Sequence, residues 1–92
     1  MAYQVIILPS AISDLGKLSK PIKTGILRKI KWISENAENV IHHQLQNMPP
    51  DLKDICRIRF SSYRIIYWVY PIEKIIKVYR IRHRSTIYKD LY

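Results

Sequence analysis

The chain has 92 residues, 48% of them hydrophobic, with two glycines, one cysteine and a net charge of +9. That length holds one domain, residues 1–92, and excludes a second domain with a core of its own. No apolar run approaches the roughly 18–20 residues of a membrane-spanning helix. The lone Cys56 excludes an internal disulfide, and a basic excess this large implies an anionic partner: nucleic acid, a charged membrane surface or an acidic protein.

The opening MAYQVIILPSAISDL lacks a basic n-region and an A-x-A-type site, so a reducing cytoplasm is the expected location. Tyr3 to Leu8 is apolar and β-branched, which predicts a first strand. Pro9-Ser10 ends it, with Ser10 as N-cap of a short helix carrying Ala11, Ile12, Leu15 and Leu18 at helical spacing. Ser19-Lys20-Pro21 starts the next helix, since proline fits a first turn and serine a cap. Ile22, Ile26, Leu27, Ile30 and Ile33 recur every three or four residues, with Lys20, Lys23, Arg28, Lys29 and Lys31 over much of the remaining surface. An amphipathic helix therefore runs to about Asn36.

Residues 37–53 read as loop, because Met48-Pro49-Pro50-Asp51 continues neither a helix nor a central strand. His42 and His43 are adjacent, lack the spacing of a metal pair, and read as surface residues. From Asp54 an antiparallel meander is predicted. Ile55, Ile58 and Phe60 mix with Arg57 and Arg59, and Ser61-Ser62 breaks the run. Tyr63 to Tyr70 is apolar on both faces and reads as a central strand. Pro71 to Lys74 is a turn, Ile75 to Arg82 the last strand, and His83 to Tyr92 a short helix or tail. The order β-α-α-β-β-β-(α) predicts an α+β fold: a small, mainly antiparallel sheet with two N-terminal helices packed on one face.

Six of the seven arginines lie between Arg57 and Arg84. Residues two apart share a strand face, so Arg57 and Arg59 project together, opposite Ile58 and Phe60, and Arg80 and Arg82 share a face. With the helices on the apolar face, the arginines gather on the open one. Arginine's planar fork matches a phosphate bidentately; the plain alternative is a solvated face that needs charge. Alternation is imperfect in the last strand. Ile76 and Val78 fall on the nominal face of Arg80 and Arg82, which predicts burial on both sides at its start. Tyr63, Tyr67, Trp68, Tyr70, Tyr79 and Tyr88 lie among the arginines, where aromatic faces can stack on unpaired bases. Core packing is the reading for Tyr67 and Trp68, and Tyr88 fits either role. Gly16 and Gly25 are isolated and make no phosphate loop, and no carboxylate pair has the spacing of a two-metal site. An enzyme made from this chain is expected to need no metal or cofactor and to act through cations.

The segments PSAISDLGKL, LQNMPPDLKDICRIRFSSYRIIYWV and VYRIRHRSTIYKDL, in this order, resemble the RelE/ParE superfamily of bacterial type II toxin–antitoxin toxins over nearly the whole chain. The likeness is strongest to RelE-type mRNA interferases, in the strand Tyr63-Arg64-Ile65-Ile66-Tyr67 and the ending His83-Arg84-Ser85-Thr86-Ile87-Tyr88. It implies a ribosome-dependent endoribonuclease in which the ribose 2′-OH attacks the adjacent phosphate without metal. Carried over by position, Arg64 and Arg82 stabilise phosphate charge, and Tyr88 stacks or transfers a proton. Arg57 and Arg59 stand where relatives often carry lysines. Arginine is always charged and a poor acid or base, so those two bind RNA and His83 becomes a candidate for proton transfer; the alternative for His83 is a hydrogen-bonded strand end. Arg80 and Arg84 fall to ribosomal RNA or antitoxin carboxylates. The implied partners are an acidic, partly disordered antitoxin, mRNA in the ribosomal A site and ribosomal RNA. The implied assembly is a toxin–antitoxin hetero-oligomer that binds DNA through the antitoxin, with no role for a membrane. The alternatives are a ParE-like gyrase inhibitor on the same fold and a non-catalytic nucleic-acid-binding module.

Overall fold

The structure is a computed structural model and describes residues 2–86. Strand β1 (Gln4–Ile7) leads into helices α1 (Pro9–Gly16) and α2 (Lys20–Glu35). A two-residue strand β2 (His43–Gln44) and one 3-10 turn (Pro50–Leu52) precede β3 (Cys56–Phe60), β4 (Tyr63–Tyr70) and β5 (Ile75–His83). The five strands lie in the order β1-β5-β4-β3-β2. β1 runs parallel to β5 and every other pair is antiparallel. The α+β expectation holds, with β2 added inside the segment expected to be loop. Among the described residues no helix is long and apolar enough to cross a membrane.

The main core lies between sheet and helices. Ala11 and Leu15 of α1 and Ile26, Ile30 and Ile33 of α2 meet Cys56, Ile65, Tyr67, Ile76, Val78 and Ile81. Each fully buried aliphatic side chain stabilises by about 1.5–3 kcal/mol. Both helices start differently from the sequence expectation in one respect. α1 begins at Pro9, and Leu8 rather than Ser10 is its cap residue. Ser19 does precede α2, but its side chain makes no capping hydrogen bond. Gly25 of α2 has a packing reason: a Cβ there would overlap the ring of Phe60.

The other face of the sheet is only partly open. Residues 45–55 fold across it, and Leu52, Ile55 and Ile66 are buried with Leu45, Met48, Trp68 and Tyr79 packed around them. This second small core explains why Tyr63 to Tyr70 reads as apolar on both faces. Trp68 Nε1 donates to the Lys53 carbonyl at 3.0 Å, tying the loop down. His42 is a correction to its reading as a surface residue. Its Nε2–H donates to the Ala37 carbonyl at 2.8 Å, so its Nδ1 accepts from the Tyr67 hydroxyl at 2.7 Å.

The last strand also corrects the sequence reading. The β4–β5 register shifts between Ile66, opposite Arg80, and Tyr67, opposite Val78. Tyr79 is the extra residue of a bulge. The bulge returns Ile76 and Val78 to the helix face while Arg80 and Arg82 point the other way. The broken alternation is a change of phase, not burial on both sides.

Candidate functional site

The register brings the arginines into two rungs across three adjacent strands. Arg59 of β3 faces Arg64 of β4, which faces Arg82 of β5. One step along, Arg57 faces Ile66, which faces Arg80. Neighbouring strands are about 4.8 Å apart, so five arginines occupy one end of the sheet, beside the tight turn at Ser61-Ser62. Ser61 takes a left-handed φ of 54° to close that turn. Among the described residues, the loop core covers the middle of this face and no helix covers this end.

Like charges directly opposite one another are destabilising, and the structure shows two ways in which this is offset. Arg64, at the centre of the rung, is only 9% exposed, and its Nη1 donates to the carbonyls of Ser61 and Tyr63 at 3.2 and 3.0 Å. It is therefore bound to the turn it stands beside. On the β5 side, the buried carboxylate of Asp14 binds Arg80 through Nε at 2.9 Å and Nη2 at 3.2 Å. Asp14 Oδ1 also lies 3.8 Å from Arg82 Nη1. Asp14 was not singled out in the sequence. The available signal was a carboxylate on the apolar side of α1, among Ala11, Leu15 and Leu18, where a lone charge is costly unless paired.

His83 lies opposite Tyr63 at the end of β5, with the rings edge to face at 5.5 Å. Its Nδ1 accepts from the Ser85 backbone N–H at 3.2 Å and lies 2.8 Å from the Ser85 hydroxyl. A backbone N–H only donates, so the proton of the neutral ring sits on Nε2. Arg82 and His83 come together in a cavity of about 210 Å³, lined also by Asp14, Lys17, Tyr63 and Thr86. Arg84 is exposed, and its backbone N–H donates to the Ser62 carbonyl at 2.8 Å. Tyr88 lies outside the described residues.

Tyr67 and Trp68 are packed, as read from the sequence. Burial raises the Tyr67 hydroxyl pKa well above the usual phenol value. Burial likewise pushes the Cys56 thiol up to about 11, with the Asp54 charge adding to it. That thiol stays protonated at neutral pH and is no nucleophile. Among the described residues, no three His, Cys, Asp or Glu side chains come together as metal ligands do.

A second hollow, of about 470 Å³, lies between α2 and the outer edge of β3. Lys29, Trp32, Ile41, His43, Arg57 and Arg59 line it. Trp32 and Ile41 are 45% and 78% exposed, so its floor is apolar and its rim cationic. Sequence periodicity placed Lys29 on the solvated face of α2 but gave no sign of the hollow, which depends on how β2 and β3 lie against the helix.

Residues 5–88 match the family model of the ParE toxin of type II toxin–antitoxin system, parDE. No curated protein matches the chain in sequence. Among solved structures it is similar to the RelBE2 toxin–antitoxin complex from Mycobacterium tuberculosis, with TM-score 0.76 and 22% identity over 92% of this chain and 94% of that one. It is also similar to a mutant of the E. coli toxin RelE in the free state, with TM-score 0.73 and 22% identity over 99% and 95%. The RelE–RelB complex from Pyrococcus horikoshii OT3 gives 0.72 and 24% over 92% and 98%. These likenesses are of fold, and the family match covers nearly the whole chain. The chain belongs to the ParE toxin family of type II toxin–antitoxin systems, within the RelE/ParE superfamily.

Proposed function

We propose that this toxin is a metal-independent endoribonuclease that cuts mRNA in the ribosomal A site and so stops translation. The observation that carries this reading is the rung Arg59–Arg64–Arg82 beside the cavity that holds His83. In the reaction the 2′-oxygen forms a bond to phosphorus, the bond to the 5′-oxygen breaks, and the products are a 2′,3′-cyclic phosphate and a 5′-OH. A proton leaves the 2′-OH and another reaches the departing oxygen. Negative charge grows on the phosphoryl oxygens in between, where fixed cations act most strongly. Arg82 and Arg64 are assigned to that charge, with Arg64 fixed at the centre of the rung by the hydrogen bonds of its Nη1 to the turn. Arg57 and Arg59 steer the RNA backbone, and Arg80 and Arg84 add to the field that draws RNA in. His83, with its proton on Nε2, is assigned as a donor to a phosphate or leaving oxygen. Tyr88 keeps its assignment as a stacking or proton-transfer group.

The partner in the cell is an acidic antitoxin. Toxin–antitoxin complexes among the similar structures support this, and so does the hollow at β3, whose cationic rim and apolar floor suit an acidic amphipathic segment. The assembly binds DNA through the antitoxin.

A ParE-like gyrase inhibitor is the second reading, and the family model that matches is the observation in its favour. One pair of assays separates the two. In a translation reaction, primer extension on the mRNA is expected to show cuts that need ribosomes and fall by about 10²–10³ in Arg82→Ala, the usual cost of one lost transition-state donor. Intact mRNA together with arrested DNA supercoiling by gyrase would establish the second reading instead.

A further inference from the structure

We propose that Asp14 is a positioning residue for Arg82: its carboxylate fixes where the Arg82 guanidinium stands and takes up the charge of Arg80 beside it. The catalytic consequence rests on the nuclease reading above; the positioning itself does not.

The reason Asp14 is there begins with the sheet. β1 ends at Ile7, opposite Val78, so the outer edge of β5 beyond Val78 has no strand beside it. Helix α1 fills that place. Ser10 Oγ donates to the Tyr79 carbonyl at 2.6 Å, and Asp14 Oδ2 accepts from the Ile81 N–H at 2.9 Å. Residues four apart on a helix are about 6 Å apart along its axis. Residues two apart on a strand are about 6.6 Å apart. The two spacings nearly agree, so one face of α1 stands in for the missing strand. Asp14 is thereby placed by a backbone contact, not by the arginines, and its side chain is only 3% exposed.

A carboxylate held this way acts differently on its two cations. It grips Arg80 side-on with both oxygens, at 2.9 and 3.2 Å. It meets Arg82 at one nitrogen only, 3.8 Å away. That distance is beyond a hydrogen bond but well within strong Coulomb range. Asp14 therefore orients Arg82 without using any of its donors. Arg82 also faces Arg64 across the ladder and shares its cavity with Lys17, one helical turn beyond Asp14. Without the carboxylate, that group of cations loses the negative charge that Asp14 sets behind it, and Arg82 is pushed outward.

The test compares wild type, Asp14→Asn, Asp14→Glu, Arg82→Ala and the double variant Asp14→Asn/Arg82→Ala in cleavage of ribosome-bound mRNA. Asparagine keeps an oxygen for the Ile81 N–H and removes the charge. The expected maximal rate of Asp14→Asn is at least about tenfold below wild type, because a misplacement of about 1 Å at a reacting group costs up to 10²-fold. The ribosome concentration giving half-maximal rate stays within about twofold. Asp14→Glu falls between the two. In the Arg82→Ala background the asparagine has no further effect, as a residue acting through Arg82 requires. A wild-type rate in Asp14→Asn, or its full effect without Arg82, overturns the proposal. Should the wild-type protein not cut mRNA, the nuclease reading fails and the positioning is judged by NMR of the arginine side chains. Slow rotation of the Arg82 guanidinium in wild type that becomes fast in Asp14→Asn supports it; equal rotation overturns it. If Asp14→Asn does not fold, the same comparison is made with Asp14→Glu, where unchanged Arg82 rotation overturns it.

Discussion

Replacing Arg64 by methionine separates what the rung does for stability from what it does for function. Methionine keeps the long apolar stem and removes the guanidinium. Two hydrogen bonds from a charged donor, to the Ser61 and Tyr63 carbonyls, are lost. Such bonds contribute about 1.5–3 kcal/mol each at most. Against that stands repulsion from Arg59 and Arg82 on either side. At roughly 5 Å and an effective dielectric of about 20–80, each like pair repels by about 1–3 kcal/mol. The desolvation of a guanidinium only 9% exposed is also relieved, and buried charges replaced by apolar groups of similar volume are often neutral or better. The terms nearly cancel. Arg64→Met is expected to melt within about 1 kcal/mol of wild type, or roughly 4–8 °C for a chain of this size. Cleavage is expected to fall by about 10² or more. Wild-type Tm should also rise more steeply than the variant's between low and moderate salt, because salt screens the repulsion. Calorimetry at two salt concentrations and primer extension on the same preparations read all three. A loss above about 2 kcal/mol with no difference in salt response would make Arg64 a structural anchor and refute the reasoning.

Four other outcomes follow from the geometry. Gly25→Ala forces a methyl into the Phe60 ring; overpacking costs about 1–3 kcal/mol and alanine's helix propensity returns about 1, so Tm should drop, and recover when Phe60 is shortened to leucine. No drop in Tm sinks this account of the glycine. Cys56 has its folded pKa raised from 9.0 to about 11 by burial. Its contribution to stability is therefore complete below pH 9 and lost between pH 9 and about 11, as the unfolded thiol ionises first. Cys56→Ala should flatten that window in chemical denaturation, and a thiol reagent at pH 8 should label only unfolded protein. His83→Gln retains a donor near Nε2, so cleavage within a few-fold of wild type identifies His83 as a hydrogen-bond donor, whereas a loss of about 10²-fold or more identifies proton transfer. Trp32→Ala removes a large exposed aromatic surface in the β3 hollow and should weaken antitoxin binding at least about tenfold by calorimetry; unchanged affinity places the antitoxin elsewhere.

Much of this fold was legible because its periodicities are clean. Ile22 to Ile33 at helical spacing and the β-branched runs at Tyr3, Tyr63 and Ile75 gave the elements and their order. Arg57 and Arg59 could be placed on one face because Ile58 and Phe60 alternate with them. What could not be read depends on contacts between distant segments. The bulge at Tyr79 decides the phase of Arg80 and Arg82, yet only its register against β4 reveals it. Leu45, Met48, Leu52 and Ile55 looked like scattered apolar residues in a proline-rich loop, and only the exposed back of β4 gives them a common target. His42 looked solvated because nothing near it in sequence resembles Tyr67. Asp14 escaped notice for the same reason: its partners are 66 or more residues away.

The placement of the two cores explains why the charge gathers where it does. One face of the sheet is closed along its length by α1 and α2, and the middle of the other by residues 45–55. The stability of the domain resides in those two layers. On that second face, the end of the sheet at the Ser61-Ser62 turn carries the rung Arg59–Arg64–Arg82 and, among the described residues, no buried apolar cluster. Packing there is not what holds the strands in register, since the ladder is already fixed by Ile65 and Ile81, both buried one residue away. Mutual repulsion among the arginines can therefore be tolerated at that end without loosening the sheet, provided two anchors hold the guanidinium groups. The turn carbonyls supply one and Asp14 the other. An anionic ligand relieves the repulsion that the fold retains, so binding should stabilise the domain in proportion to the charge it brings to this end. On the nuclease reading, an RNA phosphate and an antitoxin carboxylate both meet that condition, so the same rung is expected to serve substrate and inhibitor alike.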